Sequence, residues 1–200
     1  NKKIKSKKII QNREKIPLRR RRFWFERFRW GITKNGYLLV GGKDAKTNDM
    51  IVRKHMERND RYFHADIHGA PSCILKTRLR IESSNKIDDF GCTICNLIED
   101  EKQKLDYSTG NTAILAAAWS KSYGIPRTMV FSVEPPQVSK RTESGENLGR
   151  GAFVIRGQRT WIRDPSAKIA LGLIRLEDEV LAISGTIEGI QSICYRWITI

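Results

Sequence analysis

The charge along this chain is placed too unevenly for all of it to fold into one body. Residues 1–30 hold thirteen Lys and Arg side chains against Glu14 and Glu26, a surplus of eleven out of a net charge of +15. A run of that density repels itself and is not buried, so a core must be built from the residues beyond it. Apolar runs recur after residue 22, and with 40% of the residues apolar the chain is not wholly disordered. No uninterrupted apolar stretch approaches the roughly 20 residues that span a bilayer, and the basic start lacks the apolar stretch of a secretory signal. The first residue is Asn1 rather than Met, which is expected of a piece of a longer protein.

A basic block beside a nearly neutral body is the footprint of a polyanion-binding arm. Membrane is the weaker partner, because Ile4, Ile9, Ile10, Ile16 and Leu18 make only a thin apolar face. Arg20, Arg21 and Arg22 run straight into Phe23-Trp24-Phe25-Glu26-Arg27-Phe28-Arg29-Trp30. Aromatics interleaved with cations stack on bases, but residues 23, 24 and 28 also fall near one helical face suited to docking. Phe25 and Phe28 are read as core, Trp24 and Trp30 as open between the two roles.

Asn35-Gly36 predicts a turn and 37–40 a buried strand. A helix follows to about Glu57, capped by Thr47 or Asn48, with Met50, Ile51 and Met56 inward and Arg53, Lys54 and Arg58 outward. Gly41-Gly42-Lys43 before it resembles a phosphate loop without the spacing of a nucleotide-hydrolysing one. Strands are expected over 61–67 and 72–77, an irregular segment with a short helix over 80–107, and a helix over 109–123. A strand over 127–133 leads to a polar loop over 137–148, then a strand over 151–157. Pro165 starts a short helix ending near Gly172, and strands at 179–184 and 192–199 close the chain. Without a strict βαβ rhythm, the expected class is α+β: a mixed, largely antiparallel sheet with packed helices, preceded by a basic helical segment.

His64, Asp66 and His68 stand two apart, so on a strand they share one face. They read as a metal site, as a polar cluster in contact with RNA, or as core; neighbours about 6.5–7 Å apart are far for one ion. Cys92 and Cys95 form a lone C-x-x-C with no second pair. They are read as ordinary thiols near a helix start, and the sparse cysteines as fitting a reducing cytoplasm.

Three blocks now carry a resemblance: 23–30, then Asn35-Gly36-Tyr37-Leu38-Leu39-Val40-Gly41-Gly42-Lys43-Asp44-Ala45, then His64-Ala65-Asp66-Ile67-His68-Gly69-Ala70-Pro71. With Pro136-Gln137-Val138-Ser139-Lys140, Ser144-Gly145-Glu146-Asn147-Leu148 and 151–157, they resemble the NFACT-R domain over roughly 23–163. The resemblance implies an RNA-binding domain of a factor in ribosome-associated quality control, whose eukaryotic relative is called nuclear export mediator factor. Such a factor binds the large ribosomal subunit and recruits tRNA for C-terminal tailing of stalled chains. It also implies that 1–22 is the base of an upstream coiled coil and 164–200 a C-terminal extension packed on the domain.

The expected RNA-binding residues are Arg20, Arg21, Arg22, Trp24, Arg29, Lys43, Arg53, Lys54, His64, Asp66, His68, Lys140, Arg141, Arg156 and Arg159. No enzyme, metal, cofactor or small-molecule substrate is expected. The expected partners are tRNA, the large ribosomal subunit and other domains of the same protein. The alternative is a metal-dependent RNA-processing enzyme using His64, Asp66 and His68. Lys140 and Arg141 are expected on a mobile loop, with Lys140→Glu leaving the melting temperature nearly unchanged.

Overall fold

Gly36, at φ +79°, closes the turn that Asn35-Gly36 predicts and joins β1 (Arg29–Ile32) to the antiparallel β2 (Tyr37–Gly41). The computed structural model describes residues 22–83, 91–96, 102–121, 128–142, 144–145, 148–163, 165, 168–176, 179–194 and 196–200. The helical reading of residues 1–21 lies outside them. Before β1, the expected docking helix is corrected to one 3-10 turn, Trp24–Arg27. The Glu26 carboxylate accepts from the Phe23 amide at 2.7 Å and closes that turn, and Phe25 and Phe28 are buried as expected.

After β2 comes α1 (Ala45–Met50), which continues as a wide π-type turn, Ile51–His55, closed by Met56 N–H to the Ile51 carbonyl. Its cap is Asp44, whose carboxylate accepts from the Thr47 amide; Thr47 completes the capping box instead of starting the helix. The chain then forms β3 (Arg61–Ala65), β4 (Cys73–Ser83), β5 (Gly91–Asn96) and α2 (Lys102–Ala118). It goes on through β6 (Met129–Val133), the short pair β7 (Val138–Ser139) and β8 (Val154–Ile155), and β9 (Thr160–Arg163). β10 (Ile169–Leu176), β11 (Glu179–Thr186), α3 (Ile187–Ile193) and β12 (Arg196–Thr199) end it. The class is α+β with a mixed, largely antiparallel sheet, as expected.

Several local expectations are corrected. The segment 80–107 supplies the end of β4, all of β5 and the start of α2, and Cys92 and Cys95 lie on β5 rather than near a helix start. Pro165 starts no helix reaching Gly172, because β10 begins at Ile169. The last expected strand, 192–199, begins only at Arg196 because α3 occupies 187–193; Gly189 hides that helix from propensity, while the Thr186 hydroxyl caps it by accepting from the Gly189 amide. The strand expected over 151–157 shrinks to β8, which pairs with β7 inside the expected polar loop.

The pairings β10–β11–β1–β2–β4–β5–β10 run round a closed circuit of six strands. β3, β6 and β9 extend outward from β4, and β12 from β10. β2 is buried along its whole length because both faces are covered. Leu38 and Val40 pack with Ile32, Ile74, Ile174 and Ile183, while Tyr37 and Leu39 pack with Phe63, Leu75 and Ala113, Leu115 and Ala116 of α2.

β1 and β11 run parallel, with Gly31 opposite Ser184. A Cβ at Gly31 would run into the Ser184 carbonyl, which is why no bulkier residue stands there. The Thr186 hydroxyl donates to the buried Asn111 side chain of α2 at 2.8 Å, tying the late strands to that helix. Removing 169–200 would take away Ile174, Leu176, Leu181, Ile183 and Ile190, all buried. At about 1.5–3 kcal/mol each, they match the whole stability of a typical domain. A chain ending at residue 168 is therefore expected to lose its cooperative thermal transition; a sharp melt in differential scanning calorimetry would contradict this.

Candidate nucleic-acid interface

The end of β2 lies too close to its neighbours for side chains. A Cβ at Gly41 would sit 2.7 Å from the Trp119 ring, and one at Gly42 would overlap the Asn48 amide oxygen. That oxygen accepts from Ser72 N–H at 3.1 Å, and the Ser72 hydroxyl meets the Tyr62 hydroxyl at 2.9 Å. These contacts make the rigid floor of a cleft of about 750 Å³ between the start of α1, the 67–71 turn, the end of α2 and the 150–153 loop. Four cations, Arg29, Lys43, Lys121 and Arg150, line it together with His64 and His68. The one carboxylate lining it among the described residues, Asp44, is engaged as the cap of α1. The Arg29 guanidinium is fixed by donating to the Gly42 carbonyl at 2.5 Å.

The outer wall is held by one acid. Asp49 accepts from Lys140 Nζ at 2.6 Å and from the Gly151 amide at 2.9 Å. Lys140 also donates to the Gly149 carbonyl at 2.9 Å and lies 4.6 Å from the centre of the Phe153 ring. Gly151, at φ +81°, packs against Ala45, so its backbone can approach α1 where a side chain could not. Burial alone would raise the Asp49 carboxyl, but the hydrogen bonds from Lys140 and Gly151 outweigh it and hold it below the ordinary value.

His64 projects from β3 beside this cleft. Burial lowers its pKa, and the Arg159 charge adds to the shift, against hydrogen bonds at Ala65 and Ala70 and the charge of Asp66. The imidazole is therefore neutral at pH 7. The reading that put His64, Asp66 and His68 on one strand face is corrected: β3 ends at Ala65, Asp66 is exposed, and His68 sits on the turn before Gly69, φ +78°. Among the described residues no three His, Cys, Asp or Glu side chains gather as a metal site.

The family model of the NFACT protein RNA binding domain matches residues 23–157. This chain belongs to that family. It is 33% identical over 195 residues to the archaeal Rqc2 homolog aRqcH of Methanocaldococcus jannaschii, covering 98% of this chain and 26% of that protein. It is 31% identical over 166 residues to the human ribosome quality control complex subunit NEMF, covering 82% of this chain and 13% of that one. A solved structure, the C-terminal part of the fibronectin/fibrinogen-binding protein of Streptococcus suis, aligns at 17% identity and TM-score 0.47 over 92% of this chain and 55% of that one. The chain thus spans about a quarter or less of the curated relatives.

In this NFACT-R chain the expected site residues divide. Arg29, Lys43, His64 and His68 line the cleft. Arg22 is exposed at the first described position, Arg53 and Lys54 are exposed on the π-type turn, and Arg20 and Arg21 lie outside the described residues. Trp24 stacks on His55 with ring centres 4.4 Å apart, so its indole is used in packing. Arg156 donates to the Arg141 carbonyl at 3.1 Å, beside the β7–β8 pair. Arg159 covers the Phe131 and Trp161 rings. Arg150, Lys121, Trp119 and Phe153 were absent from the expected set because loops distant in sequence bring them to the cleft.

Lys140, expected on a mobile loop, is paired with Asp49 of α1. Its side chain is 23% exposed and that of Asp49 20%, so removing one leaves the other partly buried and unpaired. Lys140→Met is expected to destabilise by about 1–3 kcal/mol, lowering the melting temperature by several degrees, and Lys140→Glu by more. With Asp49→Asn the two effects should be less than additive in a double-mutant cycle. Unchanged melting of Lys140→Glu would show that the clamp holds nothing.

Proposed function

We propose that this chain is the RNA-binding module of a longer, cytoplasmic ribosome quality control factor. It engages tRNA and the large ribosomal subunit, so that the factor recruits tRNA for C-terminal tailing of stalled nascent chains. The observation that carries the reading is the convergence of Arg29, Lys43, Lys121 and Arg150 on one cleft whose single carboxylate among the described residues is already engaged. Cations gathered from separate elements into a concave surface match a polyanion backbone better than isolated surface charges do. The membership in the RNA-binding family and the ribosome quality control names of its relatives support the same partner class.

In this reading the module acts by binding. Arg29 is oriented by the Gly42 carbonyl, so its remaining N–H donors are aimed without further ordering when phosphate arrives. Lys43 and Arg150, both exposed, contribute charge from two separate segments. The basic residues before Arg22 add contacts that carry no sequence information. The peptide-bond chemistry of tailing belongs to the ribosome's own peptidyl-transferase centre.

The test is tRNA titration of the double variant Lys43→Ala, Arg150→Ala across a salt series. Each lost phosphate contact lowers the slope of log K against log salt by about 0.7–0.9, so the pair should lower it by about 1.5 while the melting temperature stays put. A slope equal to that of the unaltered chain would remove the cleft from the RNA path.

A further inference from the structure

β3, β6 and β9 lie side by side, and their register places His64 opposite Phe131 and Phe131 opposite Trp161. Side chains opposite each other share a sheet face, so the three rings form one row, with centres 5.7 and 5.5 Å apart. The other face of these strands, with Phe63, Ala65, Val130 and Ile162, packs with α2. At its inner end the row begins at His64, in the wall of the cationic cleft. At its outer end Trp161, on the edge strand β9, is 40% exposed. The Arg159 guanidinium lies 4.8 Å from the Phe131 ring centre and 5.9 Å from that of Trp161.

A large indole left open on a sheet edge, with a guanidinium beside it, is the composition of a base-stacking platform. Arg159 and Trp161 also lie beyond residues 23–157, the span matched by the family. We infer that Trp161 and Arg159, at the outer end of the row and over the buried Phe131 ring, stack unpaired bases of an RNA whose backbone lies in the cleft, so that the RNA segment bound is unpaired and not duplex. The inference rests on the RNA-binding reading above. In an A-form duplex the base faces are occupied by one another, and only splayed-out bases can meet an aromatic surface. The short step from cleft to row lets one strand place its phosphates on Arg29 and Arg150 and its following bases over Arg159 and Trp161. His64, kept neutral by burial, adds a flat ring at the junction without adding charge.

The experiment compares a fluorescent 12-mer oligouridylate with a 12-base-pair RNA duplex, at one salt concentration, on the whole chain and on Trp161→Ala, Trp161→Phe and Arg159→Ala. Losing one stacking ring should weaken oligouridylate binding by about tenfold. Trp161→Phe should stay within about threefold of the unaltered chain, and duplex binding should not change. Trp161→Phe and Arg159→Ala keep the comparison interpretable if Trp161→Ala melts early. Equal oligouridylate binding by Trp161→Ala and the unaltered chain overturns the inference and assigns the row to a protein partner. A parallel loss of both RNAs overturns it as well. An unaltered chain that binds duplex but not oligouridylate overturns it while leaving the RNA-binding reading intact; one that binds neither RNA overturns both.

Discussion

Asp49 accepts from the Lys140 ammonium and from the Gly151 backbone at once, and this double acceptance fixes the outer wall of the cleft. Besides it, the segment carrying Arg150 and Phe153 is located by the two-residue strands β7 and β8, by the packing of Gly151 on Ala45 and by the edge contact of Phe153 with Tyr62. With it, Lys140 is paired to Asp49 and lies over Phe153, while Arg150 lines the cleft with Arg29 and Lys43. The clamp thus separates two cations of one segment: Lys140 is paired within the fold and Arg150 lines the cleft. Its sign with pH is that of a depressed carboxylate: the stabilisation is present above the ordinary carboxylate pKa and is lost as pH falls through the lower folded value.

The clamp works only because what it pulls against is rigid. α1 is anchored through Asn48 to Ser72 and through Ile51 to the core. β2, from which the Gly41-Gly42 approach departs, is buried on both faces and belongs to the closed six-strand circuit. That circuit is completed by β10 and β11, so the last part of the chain bears on the cleft's geometry although none of its described residues lines the wall. Close packing elsewhere in the circuit is set by small residues: Gly172 and Gly185 lie under Ile190 of α3, where a Cβ would come within 3 Å.

How much of this was legible depended on whether the signal was local. Gly36, the buried run of β2, the burial of Phe25 and Phe28, and the Ala-rich part of α2 all follow from turn chemistry, apolar pattern and propensity over short windows. β10 was misread because Ile169-Ala170-Leu171-Gly172-Leu173-Ile174 is apolar throughout, which hides the alternation of a strand. The family motifs placed Arg29, Lys43 and His64 at a site, and the structure brings them to one cleft. The Asp49 partner of Lys140 was not legible because it lies on α1, and the companion bond from Gly151 to Asp49 spans 102 residues. The Trp161 row is likewise invisible in sequence, since it depends on the register of three strands separated by α2 and the 137–153 segment.

RNA that follows the cleft wall onto the β9 edge, as proposed, is detected most directly by amide hydrogen exchange with and without unstructured RNA. Slowed exchange is expected in three places together: residues 42–44, residues 149–153 and residues 159–161. Protection confined to the β10–β12 strands, or no change at any of the three, would contradict it.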